Sequence, residues 1–112
     1  MPFKIIEGGV FEFTDLSGSK KQVLLYRGEK LFTYNFNDIT PNSEKFGQLV
    51  LWDTDSEYTS AAQQRAEYKG TLNNKQIEQL KELGPQKAKQ FLKDTINYEY
   101  IDKIQPAEID KS

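Results

Sequence analysis

In three segments between residues 10 and 36 bulky apolar side chains return at every second position, and this period constrains the chain more than any other feature. Successive side chains of a strand point to opposite faces. Leu31 to Phe36 therefore puts Phe32, Tyr34 and Phe36 on one side, and Lys21 to Arg27 puts Val23 and Leu25 on one side with Leu24 and Tyr26 on the other. Val10 to Thr14 sets Phe11 and Phe13 around Glu12. Gly28-Glu29 suits a two-residue type II′ turn, which pairs Arg27 with Lys30, Leu25 with Phe32 and Val23 with Tyr34. In the connection Asp15 to Lys20, a symmetric turn at Ser17-Gly18 would set Phe13 against Gln22. An odd-length loop sets Phe13 against Val23 and Phe11 against Leu25. A one-residue slip turns a whole face over, so the odd loop is expected. One side of the meander is then Phe11, Phe13, Val23, Leu25, Phe32, Tyr34 and Phe36, and the other is a mixture of Val10, Glu12, Leu24, Tyr26, Leu31 and Thr33.

The flanks extend this pattern. Phe3 to Ile6 reads as an opening strand ended by Gly8-Gly9, residues 37–45 as a loop marked by Asp38, Pro41, Asn42 and Ser43, and Phe46 to Trp52 as a further strand. Residues 56–68 have helical spacing at Tyr58, Ala61, Ala62 and Arg65, with a strand over Gln64 to Thr71 as the competing reading. Asn73 is a good N-cap, Gln76 completes a capping box, and Leu72 and Ile77 occupy the two staple positions. Ile77, Leu80 and Leu83 share one helix face until Gly84, and Pro85 suits the first turn of a second helix with the stripe Ala88, Phe91, Leu92, Thr95 and Ile96. Tyr98 to Ile104 alternates well enough for a last short strand. The expected fold is α+β: an antiparallel meander of about five strands followed by a short helical hairpin. A length of 112 residues suits one domain over 1–104, with Gln105 to Ser112 as a loosely held tail.

Composition narrows function mainly by exclusion. With no His and no Cys the chain has no Ser-His-Asp triad, no thiol nucleophile and no Cys/His zinc site. Short loops on a meander leave little room for a carboxylate, Lys or Tyr active site, so no catalytic residue, cofactor or metal is assigned. The net charge of −2 gives no basic face for duplex DNA. No apolar run approaches the ~20 residues that span a bilayer. Met1-Pro2-Phe3-Lys4 lacks the form of an export signal, which makes the cytoplasm the expected compartment.

Three motifs invite a functional reading, and each also has a plain structural one. Leu49-Val50-Leu51-Trp52-Asp53-Thr54-Asp55 resembles the metal-binding strand end of haloacid-dehalogenase-type phosphatases over these few residues. That family's parallel sheet, downstream Lys and acidic pair have no counterpart here. A calcium loop starting at Asp53 would need Gly at Tyr58 and Glu at Gln64, so Asp53, Asp55 and Glu57 read as a solvated segment that caps a helix. The sequence around Gly84 resembles a helix-hairpin-helix, but the Gly-apolar-Gly turn is missing and Glu78, Glu82 and Asp94 interleave with Lys81, Lys87, Lys89 and Lys93.

What remains is a non-enzymatic protein-binding module, an adaptor, regulator or inhibitor of the kind a phage or mobile element directs at a host protein. The expected recognition surface is the mixed face of the first hairpin, Leu24, Tyr26 and Leu31 with Arg27 and Lys30 at its turn. Asp53, Asp55 and Glu57 form a secondary, salt-sensitive contact. The partner is a protein, with neither membrane nor duplex DNA involved. The alternatives are a single-stranded nucleic-acid-binding domain, in which Tyr26 stacks on a base, and a homo-oligomeric structural subunit.

Overall fold

Six strands follow one another in chain order across a single antiparallel sheet. The structure, a computed structural model, describes residues 4–15, 17–27, 34–51, 67–69 and 72–103, with the backbone alone for 67–69. The strands are β1 (Lys4–Glu7), β2 (Val10–Thr14), β3 (Lys20–Arg27), β4 (Tyr34–Asp38), β5 (Leu49–Leu51) and β6 (Glu67–Lys69). Two helices follow, α1 (Asn74–Lys81) and α2 (Pro85–Ile96). This is the expected α+β meander with a helical hairpin after it. Its last strand lies within the competing strand reading of 64–71, pairing Val50 with Tyr68 along the edge of β5. The helical reading of 56–68 fails at 67–68 and otherwise falls outside the described residues, as does the tail after 104.

The registers differ from expectation, and both differences are even. Phe11 faces Val23 and Phe13 faces Lys21, two residues from the expected pairing. The turn explains the shift. The Gly18 N–H donates to the Asp15 carbonyl, the Asp15 N–H donates to the Ser19 carbonyl, and Gly18 has φ 88°. The loop is thus odd, as expected, but centred one residue earlier, with glycine in the left-handed position that a three-residue hairpin connection needs. The Asp15 carboxylate gathers the Ser17 N–H and the Ser19 N–H, each at 2.9 Å, and the Ser17 hydroxyl at 2.6 Å. Desolvation pushes the Asp15 pKa up, but these hydrogen bonds and nearby Lys21 outweigh it, and the net shift is downward.

Across β3 and β4, Leu25 faces Phe36, Arg27 faces Tyr34 and Val23 faces Asp38. The expected partners were Phe32, Lys30 and Tyr34. This register excludes a two-residue turn at Gly28-Glu29; residues 28–33 lie outside the described residues. The observed register removes the like-charge pair Arg27–Lys30 and sets the Arg27 guanidinium 5.0 Å from the Tyr34 ring centroid.

Because both shifts are even, the facing sets survive. Phe11, Phe13, Val23, Leu25, Tyr34 and Phe36 join Val50 in one buried cluster on the first face. On the second face Val10 and Leu24 meet Leu80, Ala88 and Leu92 of the helices. The helix starts hold, whereas α1 ends at Lys81 with Glu82 as its C-cap, so Leu83 and Gly84 lie beyond it. The Asn73 side chain accepts the Gln76 N–H at 2.9 Å, and the Gln76 side chain accepts the Asn73 N–H at 2.9 Å. Gly84 precedes α2 as its N-cap, with Pro85 in the first turn. Gly47, at φ 79°, lets the hairpin settle against bare backbone, since a Cβ there would lie 3.0 Å from the Leu72 Cδ1. Phe46 and Gly47 belong to a turn, so β5 starts only at Leu49.

The last short strand reduces to one bridge, Tyr26 with Tyr100, and a 2.9 Å bond from the Ile101 N–H to the Leu25 carbonyl. β2 begins at Val10, opposite Leu24, so β3 is uncovered on that side from Leu25 onward. β4 occupies its other side there. The segment after α2 fills this short gap. Lys89 pairs with Asp102 and Lys93 approaches Glu99 at 3.5 Å, tying the segment to α2.

Candidate functional site

The expected recognition face is internal. Leu24 is fully buried and Tyr26 is 6% exposed. The Tyr26 ring stacks on Tyr98 with centroids 4.2 Å apart and meets Tyr100 edge-on at 5.8 Å. A sheet face carrying Val10, Leu24 and Tyr26 must bury its apolar area: the amphipathic hairpin packs on Val10 and Leu24, and Tyr98 and Tyr100 of the segment after α2 pack on Tyr26. Neither residue is available to a partner while the chain is folded. Arg27 is exposed at the end of β3. Lys30, Leu31, Asp53, Asp55 and Glu57 lie outside the described residues. Among the described residues no group of three or more carboxylate, His or Cys side chains could hold a metal ion.

Three features of the described surface can be compared. The first is the edge strand β1, whose four residues are all exposed, with Ile5 at 45% and Ile6 at 39%. An apolar edge invites strand addition, but the register breaks between Ile5 and Glu7, and Lys4 and Glu7 bracket the isoleucines. Bulges and edge charges are devices that blunt such pairing. The second is a polar hollow of about 200 Å³ beside Lys89, Lys93 and Glu99. Its two lysines already face Asp102 and Glu99, so it serves as the latch for the last segment.

The third is an open groove of about 410 Å³ between the loop after β4 and the junction of the two helices. Val10, Leu80 and Ala88 form its floor, Ile39 and Phe46 one wall, and Leu83 and Pro85 the other. Buried polar groups hold the loop wall in place. The Asp38 carboxylate is buried and accepts the Thr40 N–H at 2.8 Å and the Ser43 hydroxyl at 3.0 Å. Thr40 ties the loop to β3, its hydroxyl oxygen accepting the Gln22 N–H at 2.8 Å. The Ile39 N–H donates to the Gln22 carbonyl at 2.9 Å. Next to Asp38, buried Asn37 donates to the Gly47 carbonyl and accepts the Tyr100 hydroxyl. Burial, then the neighbouring Tyr26 and Tyr98, push the Tyr100 pKa well above the ordinary tyrosine range, so this phenol is a fixed donor.

The polar side chains on the groove are Gln22, Asn42 and Lys81. Sequence reasoning placed none of them in a site. Pro41 and Asn42 stood out as turn residues and Lys81 as one of several helix lysines; their convergence needs the loop and hairpin to be docked. Comparison with protein-family models, with curated proteins and with solved structures returns no match. Among the described residues no helix is long and apolar enough to cross a membrane.

Proposed function

We propose that the chain is a non-enzymatic protein-binding module, an adaptor, regulator or inhibitor, and that the groove beside the helical hairpin is its recognition surface. One observation carries this reading. A groove of about 410 Å³ with an apolar floor opens to solvent on the face where Leu24 and Leu92 are fully buried. That size falls within the roughly 300–1,000 Å³ of ligand-accepting clefts, and a few polar groups on an apolar lining are their usual chemistry. Its walls stand on strands and helices, with the loop side pinned through Asp38 and Thr40, so little ordering is required on binding. The buried position of Tyr26 weighs against base stacking on that ring.

The test compares capture from extracts of the native host on immobilised wild type, Pro41→Arg, Leu83→Lys and Ile5→Lys, each first shown to melt cooperatively. The expected result is a partner retained by wild type and Ile5→Lys and lost from both groove variants. Equal retention by all four proteins would remove the groove from the reading. Retention of nothing by wild type would remove protein binding itself.

A further inference from the structure

The groove has one charged group among its described lining residues, Lys81, in the last turn of α1. Its ammonium lies 5.9 Å from the Phe46 ring centroid, at the edge of the apolar wall. Its carboxylate neighbour is Glu78, one turn back on the same helix, at 3.7 Å. That separation is too long for a good hydrogen bond, and the two side chains are 51% and 76% exposed, a geometry that holds a pair weakly. Lys81 therefore keeps donors to spare for a second carboxylate. Gln22 and Asn42 add two side-chain amides at the groove, and neither amide has a hydrogen-bond partner among the described residues. The Gln22 main chain, by contrast, is fully used by Ile39 and Thr40. Each free amide presents one acceptor and two donors, the complement of a peptide group.

We propose that the groove takes a short extended segment of a partner protein that carries an apolar side chain beside a carboxylate. The apolar side chain fills the floor over Leu80 and Ala88, and the carboxylate pairs with Lys81. Main-chain groups of the segment bond to the Gln22 and Asn42 amides. These amides favour a peptide over a fatty acid, whose chain has no groups to meet them. The proposal rests on the protein-binding reading and adds the chemistry of what is bound.

The test is selection from a random library of capped hexapeptides by the full chain, run in parallel on wild type, Lys81→Met, Lys81→Glu and Leu83→Lys. Lys81 is exposed and its methionine variant keeps the aliphatic stem, so folding is preserved, as melting curves will show. Wild type should enrich peptides with Asp or Glu next to Leu, Ile, Met or Phe. Both Lys81 variants should bind those peptides about tenfold or more weakly, the worth of one charge-assisted hydrogen bond. Selection on Lys81→Glu should turn to Lys and Arg instead. Enrichment lost on Leu83→Lys but showing no acidic preference on wild type would overturn this proposal and leave the groove as a protein-binding site. Absence of any enrichment that depends on Leu83 would overturn both. Octanoate that displaces the selected peptides at lower concentration than a capped Leu-Asp dipeptide would assign the site to a small apolar acid and overturn the peptide.

Discussion

The two faces of the sheet are built in different ways. On the first, the described members of the buried cluster, Phe11, Phe13, Val23, Leu25, Tyr34, Phe36 and Val50, are all carried by strands, and Ile101 packs against them. Phe13 and Phe36 meet edge-on within it at 5.4 Å. On the second, the sheet supplies Val10 and Leu24, and the cluster is completed by Leu80, Ala88 and Leu92 with the borders of the β4 loop. Side chains carried by neighbouring strands are held at fixed cross-strand spacings by the sheet's own geometry. Side chains on separate elements meet only as well as the elements dock, and on the second face the docking leaves a groove. The stabilising core and the candidate site are thus two answers to one requirement, the burial of apolar area.

The largest expected effect sets one face against the other. Leu25→Ala, inside the strand-built cluster, should cost ~2–5 kcal/mol, as large-to-small changes in a sealed core do. Leu80→Ala lies on the groove floor, where the space it vacates joins an opening water already reaches, and should cost nearer ~2 kcal/mol. Urea unfolding of both variants measures the difference. A larger loss for Leu80→Ala would mean that the groove is closed in solution.

A smaller effect tests the polar border of the second face. Tyr100→Phe leaves the Asn37 side-chain oxygen Oδ1 without its donor and should cost about 1 kcal/mol at neutral pH. The wild-type phenol has a folded pKa raised above its unfolded value of 10.0. Its stabilisation is therefore complete below that pH and is lost as pH rises toward the folded value. Tyr100→Phe should flatten this alkaline fall in stability. An unchanged slope above pH 10 would show that Tyr100 is not buried as a neutral donor.

The smallest effect concerns the helix that covers the second face. Asn73→Ala should cost about 1 kcal/mol and Asn73→Gly only a few tenths, because glycine also tolerates the cap conformation. Thermal melts that rank the two equally would place the start of α1 elsewhere.

Features set by near neighbours along the chain are legible in the sequence itself. The Asn73–Gln76 box, Pro85 in the first turn of α2 and the facing sets of the strands all rest on local stereochemistry or on period two. Register is not legible, for a definite reason. Alternation penalises a slip of one residue, which turns a face over, but it is silent about slips of two or four, which keep every side chain on its face. The β2–β3 and β3–β4 pairings differ from expectation by just these even steps, the first set by the Asp15–Gly18 turn and the second relieving the Arg27–Lys30 pair. The expected last strand shrinks to a bridge for a related reason: the alternation of Tyr98 to Ile104 says nothing of how much of β3 is left to pair with.

The mixed face shows the same division most clearly. Composition alone cannot distinguish Leu24 and Tyr26 awaiting a partner from Leu24 covered by the chain's own helices and Tyr26 by the segment after them, since both need an apolar patch edged by polar groups. The sequence by itself determined the fold class, which side chains of β2, β3 and β4 share a face, and where each helix starts, because these follow from spacing and from caps within a few residues. Tertiary structure alone decided what covers the second face and brought Gln22, Asn42 and Lys81 to one groove. Those three residues lie far apart along the chain, and only the docking of α1 and α2 against β2, β3 and the β4 loop makes them neighbours.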